Sequence, residues 1–177
     1  MNINYLAFLS LGISKDSPFF SNFLNNKNNF FYGFCIDSNK DEMKQLLGSS
    51  TLNKIYSKII PNSLKCSEGE MKVKTLLDLY NIVYIDYIKF NFNVENYDLI
   101  FDFLKPKRLL TIDKIQFIIN PTCDAQNLKD TLKSLGYKLY HIDEKNAFFI
   151  LRKSWDRFKN EPNYIDLVFE EEMTSLK

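Results

Sequence analysis

Short apolar runs alternate with amphipathic segments along the first third of this chain. Residues 5–11 and 30–36 are continuous apolar runs with the length of buried parallel strands. Between them, the apolar residues of segment 19–24 recur at helical spacing before the polar tract 25–29 interrupts the pattern. The pattern predicts a strand, a crossover helix and a second strand.

A second helix is predicted directly after this unit. Ser38 and Asp41 have the Ser-x-x-acid spacing of a capping box, apolar residues follow them, and Gly48 is placed to end the helix. Residues 49–70 are polar and poorly periodic, so we predict no more than a short strand within 55–60.

Alternation of strands and helices resumes after this region. The pattern predicts a short helix at 75–80, a strand at 84–92, a helix at 96–104 and a strand at 114–119. The pattern is clearest near the end of the chain. Leu128, Leu132 and Leu135 share one face of a predicted helix that Asp124 caps and Gly136 ends. A hairpin follows, with strands 137–142 and 147–152 joined by the turn 143–146.

The composition fits one globular domain. The chain has 177 residues, 45% apolar and 25% charged, with a net charge of +1. That charge provides no broad basic field for nucleic acid, although it leaves room for local patches. Three cysteines without CxxC spacing predict neither a zinc site nor disulfides, so we expect no metal site and a reducing, cytoplasmic compartment.

Neither a signal peptide nor a membrane span is predicted. The apolar run 5–13 is short, follows no positive charge and lacks a small-residue cleavage site. No apolar run approaches the roughly 20 residues that a membrane helix requires. We therefore expect a soluble protein.

Three sequence blocks resemble a known family. Residues 87–98 read YIKFNFNVENYD, residues 73–79 read VKTLLDL and residues 135–139 read LGYKL. In their order along the chain they resemble the FkbM-type methyltransferases, which depend on S-adenosylmethionine. The resemblance implies a class I, Rossmann-like α/β fold with a mostly parallel sheet, helices on both faces and a C-terminal antiparallel hairpin. It covers most of 1–153, and we expect 154–177 to be a helical extension or tail.

The resemblance also implies an S-adenosylmethionine site at the carboxyl ends of the strands, where open parallel sheets bind ligands. The cofactor residues that it implies are Ser10, Gly12, Ser14, Asp37 and Asn93. Of the family's glycine-rich turn only Gly12 is retained, and a glycine that simply ends a strand is an equally good interpretation.

The acid for the ribose hydroxyls has two candidate positions. The aligned residue is Cys35, whose thiol is a poor acceptor for a diol. Asp37 lies two residues further on the same side of the strand and can substitute for it. Its other interpretation is a turn or helix-start residue.

For catalysis the resemblance implies Lys89, Glu95 and Asp98. Methyl transfer to an oxygen needs donor and acceptor in line and a base for the hydroxyl proton, and Glu95 or Asp98 could be that base. Lys89 has a simpler interpretation, as an ion-pair partner of Asp86 or Asp98 or as a lysine whose ammonium reaches solvent.

Two further residues are interpreted as structural. His141 is the only histidine and has no serine or cysteine motif beside it. Trp155, with nearby phenylalanines, is expected to pack the C-terminal segment onto the sheet, since basic residues are not gathered around it in the sequence.

Two functions remain open. The first is a methyltransferase acting on a hydroxyl of a sugar, a glycan or another small polar acceptor. The second is a catalytically inactive relative, a pseudoenzyme, that serves as a structural or interaction subunit and binds a partner protein, because the motifs depart from the family pattern and fold does not determine function.

Overall fold

The computed structural model describes residues 5–11, 33–37, 59–61, 78, 81–90, 104, 110–119 and 125–175. Within these ranges the chain forms one seven-stranded sheet with strand order β3-β2-β1-β4-β5-β7-β6. Its strands are β1 (Tyr5–Leu11), β2 (Gly33–Asp37), β3 (Ile59–Pro61), β4 (Tyr84–Phe90), β5 (Thr111–Ile118), β6 (Tyr137–Ile142) and β7 (Asn146–Leu151).

The sheet is parallel apart from one strand. β1 pairs in parallel with β2 and β4, β2 with β3, and β4 with β5. β7 runs antiparallel to both of its neighbours, β5 and β6. This is the predicted parallel sheet with a C-terminal antiparallel hairpin.

Three helices lie within the described part of the chain. They are α1 (Ala125–Ser134), α2 (Trp155–Asn160) and α3 (Tyr164–Ser175), and a 3-10 turn, Arg152–Ser154, precedes α2. The predicted helices in 19–24 and 38–48 lie outside the described residues. Asp78 and Leu104 are helical, as expected for the predicted helices at 75–80 and 96–104.

Helices cover both faces of the sheet. On one face, Phe90 stacks on Phe117 and both belong to an apolar cluster with Leu128 and Leu132 of α1. On the other face, Phe169 of α3 packs edge-on against the aromatic rings of β4 and β7, Tyr87 and Phe148. Burial of these two aromatic layers provides the main driving force for folding.

β5 begins earlier than its hydrophobic pattern predicts. The structure places its start at Thr111, whereas the apolar alternation predicts residue 114. Asp113 and Lys114 are fully buried, because ion pairs with distant segments neutralise them. In the sequence, two adjacent charged residues are typical of a surface turn, and for this reason the start of β5 was predicted too late.

The C-terminal hairpin is closed by a side chain. The carboxylate of Asp143 accepts hydrogen bonds from the backbone amides of Lys145 and Asn146, both at 2.7 Å. In the outer strand β6, the register with β7 shifts between Leu139 and His141. A shift of this kind twists an edge strand away from pairing with other chains.

The segment after β7 packs against the sheet, as predicted for Trp155 and its neighbours. Phe158 of α2 and Phe169 of α3 are buried and contact each other edge-on, and Tyr140 of β6 packs on both. The segment predicted as a helical extension thus contains α2 and α3. The boundary at residue 153 stays a prediction.

Candidate functional site

The sheet has one topological switch point. Chain connections run outward from β1 through β2 to β3, and the order then reverses at β4 on the other side of β1. In open parallel sheets a crevice forms at the carboxyl ends of the two strands that flank such a reversal, and ligands bind there. The last residues of these strands, Leu11 and Phe90, are register partners.

Two predicted site residues lie side by side at this crevice. Ser10 of β1 and Lys89 of β4 are register partners, one residue before the strand ends. Lys89 is buried, with 4% of its surface exposed. Asp86, one of the two partners considered for it, has a carboxylate oxygen 3.0 Å from Nζ of Lys114.

Asp37 lies on the strand next to the crevice. Leu11 is level with Ile36, so Asp37 extends one residue beyond the end of β1, where it pairs with Pro61 of β3. Cys35 is level with Ser10, inside the strand. Of the two candidates for the ribose acid, Asp37 is the one at the strand end.

The other predicted site residues lie outside the described residues. These are Gly12, Ser14, Asn93, Glu95 and Asp98. Their roles therefore stay predictions. The described part of the site consists of the ends of β1, β2 and β4.

A buried polar line beside Lys89 was missed by the sequence analysis. The hydroxyl of Tyr87 donates to Oε1 of Gln116, and Nε2 of Gln116 lies 3.4 Å from Oδ1 of Asn146. Gln116 is also the register partner of Lys89. The line joins β4, β5 and β7 just below the carboxyl edge, and a single glutamine within the apolar run of β5 was its only signal in the sequence.

A second buried polar group lies nearer the amino ends of the strands. Nζ of Lys114 is 3.0 Å from Asp86, 3.1 Å from Asp113 and 2.7 Å from Asp166 of α3. Arg157 of α2 pairs with Asp113 at 2.9 Å and also with Asp166. We call these five residues the ionic cluster.

Among the described residues, the ionic cluster has a structural role. Its three carboxylates are close enough together to hold a metal ion. The ammonium of Lys114, however, already occupies the position between them that a cation would take. The chemistry of the cluster is therefore charge neutralisation, which joins β4 and β5 to the C-terminal helices.

The cluster shifts the ionisation of its members and of a neighbouring tyrosine. Burial alone would lower the pKa of Lys114, but the carboxylates of Asp86, Asp113 and Asp166 outweigh it and raise that pKa. Burial and the charge of Asp113 raise the pKa of Tyr84. Both groups therefore stay protonated at physiological pH.

Two lysines lie over the only tryptophan. Nζ of Lys138 is 3.9 Å from the ring centroid of Trp155, and Nζ of Lys159 is 5.4 Å from it. The sequence analysis expected no basic residues around Trp155, and that expectation was wrong. The sheet brings Lys138 of β6 beside Trp155 although the two residues are 17 positions apart in the sequence, whereas Lys159 lies one helical turn after Trp155 on α2.

His141 lies near the end of β6, beside the hairpin turn. Its Nε2 is 3.7 Å from a carboxylate oxygen of Asp143, and its ring packs against Phe148. These contacts agree with the structural role expected for it. No helix in the described ranges is long and apolar enough to span a membrane.

Comparison with solved structures identifies the fold. The chain superposes on the N-terminal domain of human METTL16 in complex with SAH with a TM-score of 0.51 and 12% identity, over 82% of this chain and 62% of that one. The METTL16 MTase domain in a second crystal form gives 0.50 and 10% identity, over 85% and 60%. The chain spans less than two thirds of the length of either structure.

Comparison of sequences finds no relative. No protein-family model matches the chain, and no curated protein does either. At such low identity the structural likeness concerns the fold alone. The fold is the class I, Rossmann-like fold of S-adenosylmethionine-dependent methyltransferases, as the sequence analysis predicted.

Proposed function

We propose that the protein is an S-adenosylmethionine-dependent methyltransferase. The observation that carries the proposal is the switch point between β1 and β4 with an acidic residue, Asp37, at the end of the adjacent strand β2. A carboxylate at that position of a Rossmann-like sheet can accept hydrogen bonds from both ribose hydroxyls. The METTL16 domain, which shares the fold, was solved with SAH bound.

The candidate site residues have the chemistry that such a cofactor requires. Asp37 would hold the ribose, while the end of β1 at Ser10 and the turn with Gly12 and Ser14 would face the amino-acid part. Asn93, after β4, would complete the site. Phe90, at the strand end, stacks on Phe117 inside the core, so its ring is directed into the α1 face of the sheet.

The reaction that we propose is O-methylation of a sugar or another small polar acceptor, as in enzymes of FkbM type. The bound cofactor supplies an electrophilic methyl group. The acceptor hydroxyl would give its proton to Glu95 or Asp98, and its oxygen would bond to the methyl carbon as the bond from that carbon to the cofactor's sulfur breaks, which leaves S-adenosylhomocysteine. Lys89, buried beside the crevice, would orient the acceptor or one of these carboxylates.

Calorimetric titration with S-adenosylmethionine and S-adenosylhomocysteine tests the cofactor site. We expect micromolar binding, about −8 kcal/mol. Asp37→Ala should weaken it by at least about tenfold, because two hydrogen bonds to a charged acceptor are lost. Glu144→Ala, an exposed acid in the hairpin turn, is the control and should bind like the unaltered protein.

Absence of binding heat from a folded sample would contradict this proposal. It would favour the second function, an inactive relative of the fold that acts as an interaction subunit. Two observations support that alternative, namely that Leu167 of α3 is 50% exposed and that Trp155 of α2 is partly exposed. An apolar side chain in such a position can contribute to a contact with a partner protein.

A further inference from the structure

We propose that the groove around Trp155 binds single-stranded nucleic acid. The groove has a volume of about 430 Å³ and is lined by Lys138, Arg152, Trp155 and Asp156. Lys159 of α2 extends its basic rim. We call these five residues the basic-aromatic groove.

The cations of the groove are free to meet an anion. The ammonium groups of Lys138 and Lys159 lie over aromatic rings, including Tyr140 at 4.6 Å from Lys159. No described carboxylate lies within ion-pair distance of Lys138, Lys159 or Arg152. An exposed cation over a ring exchanges that contact for a phosphate at little cost.

The groove combines three chemistries that match a nucleotide. Lysines and an arginine bind phosphates, and the indole of Trp155 provides a flat surface on which a base can stack. Asp156 is exposed and lines the same groove, and its carboxylate can accept a hydrogen bond from the amino group of a base. A simple polyanion would use the cations alone and would be repelled by Asp156.

A neighbouring groove extends the path for a strand. It has a volume of about 460 Å³, shares Arg152 with the first groove, and adds Lys153 and the apolar side chains of Leu110 and Leu135. Two connected grooves with a shared cation suit a flexible strand that contacts more than one nucleotide.

This groove is separate from the proposed methyltransferase site. Lys138 is near the start of β6 and Arg152 directly follows the end of β7, so both lie at the edge of the sheet opposite the carboxyl ends of β1 and β4. The inference therefore does not depend on the proposed enzymatic activity, and loss of cofactor binding would leave it intact.

The experiment uses Trp155 as its own reporter, because the chain contains one tryptophan. An oligouridylate of about 12 nucleotides is titrated while indole emission is followed. We expect saturable quenching. Three phosphate contacts predict a loss of affinity of roughly 20-fold for a fourfold rise in salt concentration.

Two neutral variants and a control locate the binding site. Lys138→Gln and Lys159→Gln should each weaken binding several-fold, whereas Lys133→Gln, an exposed lysine on α1, should not. Oligodeoxyuridylate distinguishes DNA from RNA. Inorganic polyphosphate of matched charge should bind more weakly and quench less.

Three results would overturn the proposal. The first is an absence of quenching in a folded sample. The second is an equal loss of affinity in all three variants, which would indicate diffuse attraction to the whole surface. The third is polyphosphate binding as tight as that of the oligonucleotide, which would remove any role for base recognition.

Discussion

A single glycine sets the angle between α1 and β6. Gly136 has φ of +93°, in the region that side chains with a Cβ avoid. Its amide donates to the carbonyl of Lys133, and its own carbonyl accepts from the amide of Arg152. A Cβ built on Gly136 would meet only Cδ1 of Leu151 at 3.8 Å, which is ordinary contact. The requirement for glycine is therefore conformational.

Gly136→Ala should destabilise the protein by about 1–2 kcal/mol, the cost of a left-handed conformation for a residue with a Cβ. Gly136→Asn should cost less, since asparagine tolerates this region better. Urea unfolding followed by circular dichroism measures both variants. Equal costs for alanine and asparagine would contradict the conformational explanation.

Individual residues were predictable where their partners are local. Gly136 was predicted to end α1 because the leucines before it have helical spacing. Gln116 and Asp113 were missed, because their polar side chains interrupt an apolar run and their partners Asn146 and Arg157 are far along the chain. No local pattern distinguishes a polar residue with a distant partner from one at the surface.

At the scale of elements, the ionic cluster joins the C-terminal helices to the sheet. Lys114 on β5 contacts Asp86 on β4 and Asp166 on α3, while Arg157 on α2 contacts Asp113. Removal of one member of such a buried group leaves the others with uncompensated charge.

Lys114→Met should therefore destabilise the protein by about 3–5 kcal/mol. Lys145→Met, in the exposed hairpin turn, is the matched control and should change the free energy of unfolding by less than about 0.5 kcal/mol. Addition of Asp86→Leu to Lys114→Met should recover part of the loss. A cost for Lys114→Met no greater than that of the control would show that the cluster does not stabilise the fold.

The positions of elements followed the sequence more closely than their ends did. The predicted strands 5–11 and 137–142 are found with the same bounds. β5 starts at Thr111 because the ionic cluster extends the buried part of that strand beyond its apolar residues. Only the tertiary structure contains that information.

At the scale of the whole molecule, several raised pKa values make the free energy of unfolding fall at high pH. Burial raises the pKa of Tyr137, and burial with a hydrogen bond to Glu170 raises the pKa of Tyr140 to about 12. The pKa values of Tyr84 and Lys114 are raised as well. In the unfolded chain these groups release their protons first as the pH rises.

The contribution of these groups to the free energy of unfolding should consequently be constant below about pH 9 and fall above about pH 10, where unfolded tyrosine and lysine ionise. Urea unfolding at a series of pH values measures this dependence. Tyr140→Phe removes one of the groups and should make the decline shallower. A free energy of unfolding that stays level up to about pH 11 would contradict the expectation.

The architecture of the candidate site was predictable as a whole, although its details were not. Alternating strands and helices predicted a parallel sheet, and such a sheet places its ligand at the switch point. Ser10, Asp37 and Lys89 lie at or beside that point. In the basic-aromatic groove, Lys138 could not be predicted, because β6 and α2 come together only in space.

The position of β7 has a consequence for synthesis on the ribosome. This strand lies between β5 and β6 although it is translated after both. The growing chain therefore carries β5 with one unpaired edge until Leu151 has left the exit tunnel, and Asp166 must emerge later still to complete its pair with Lys114. An unpaired strand edge is prone to associate with other chains, so the nascent protein passes through a stage at which chaperone binding would be of most benefit.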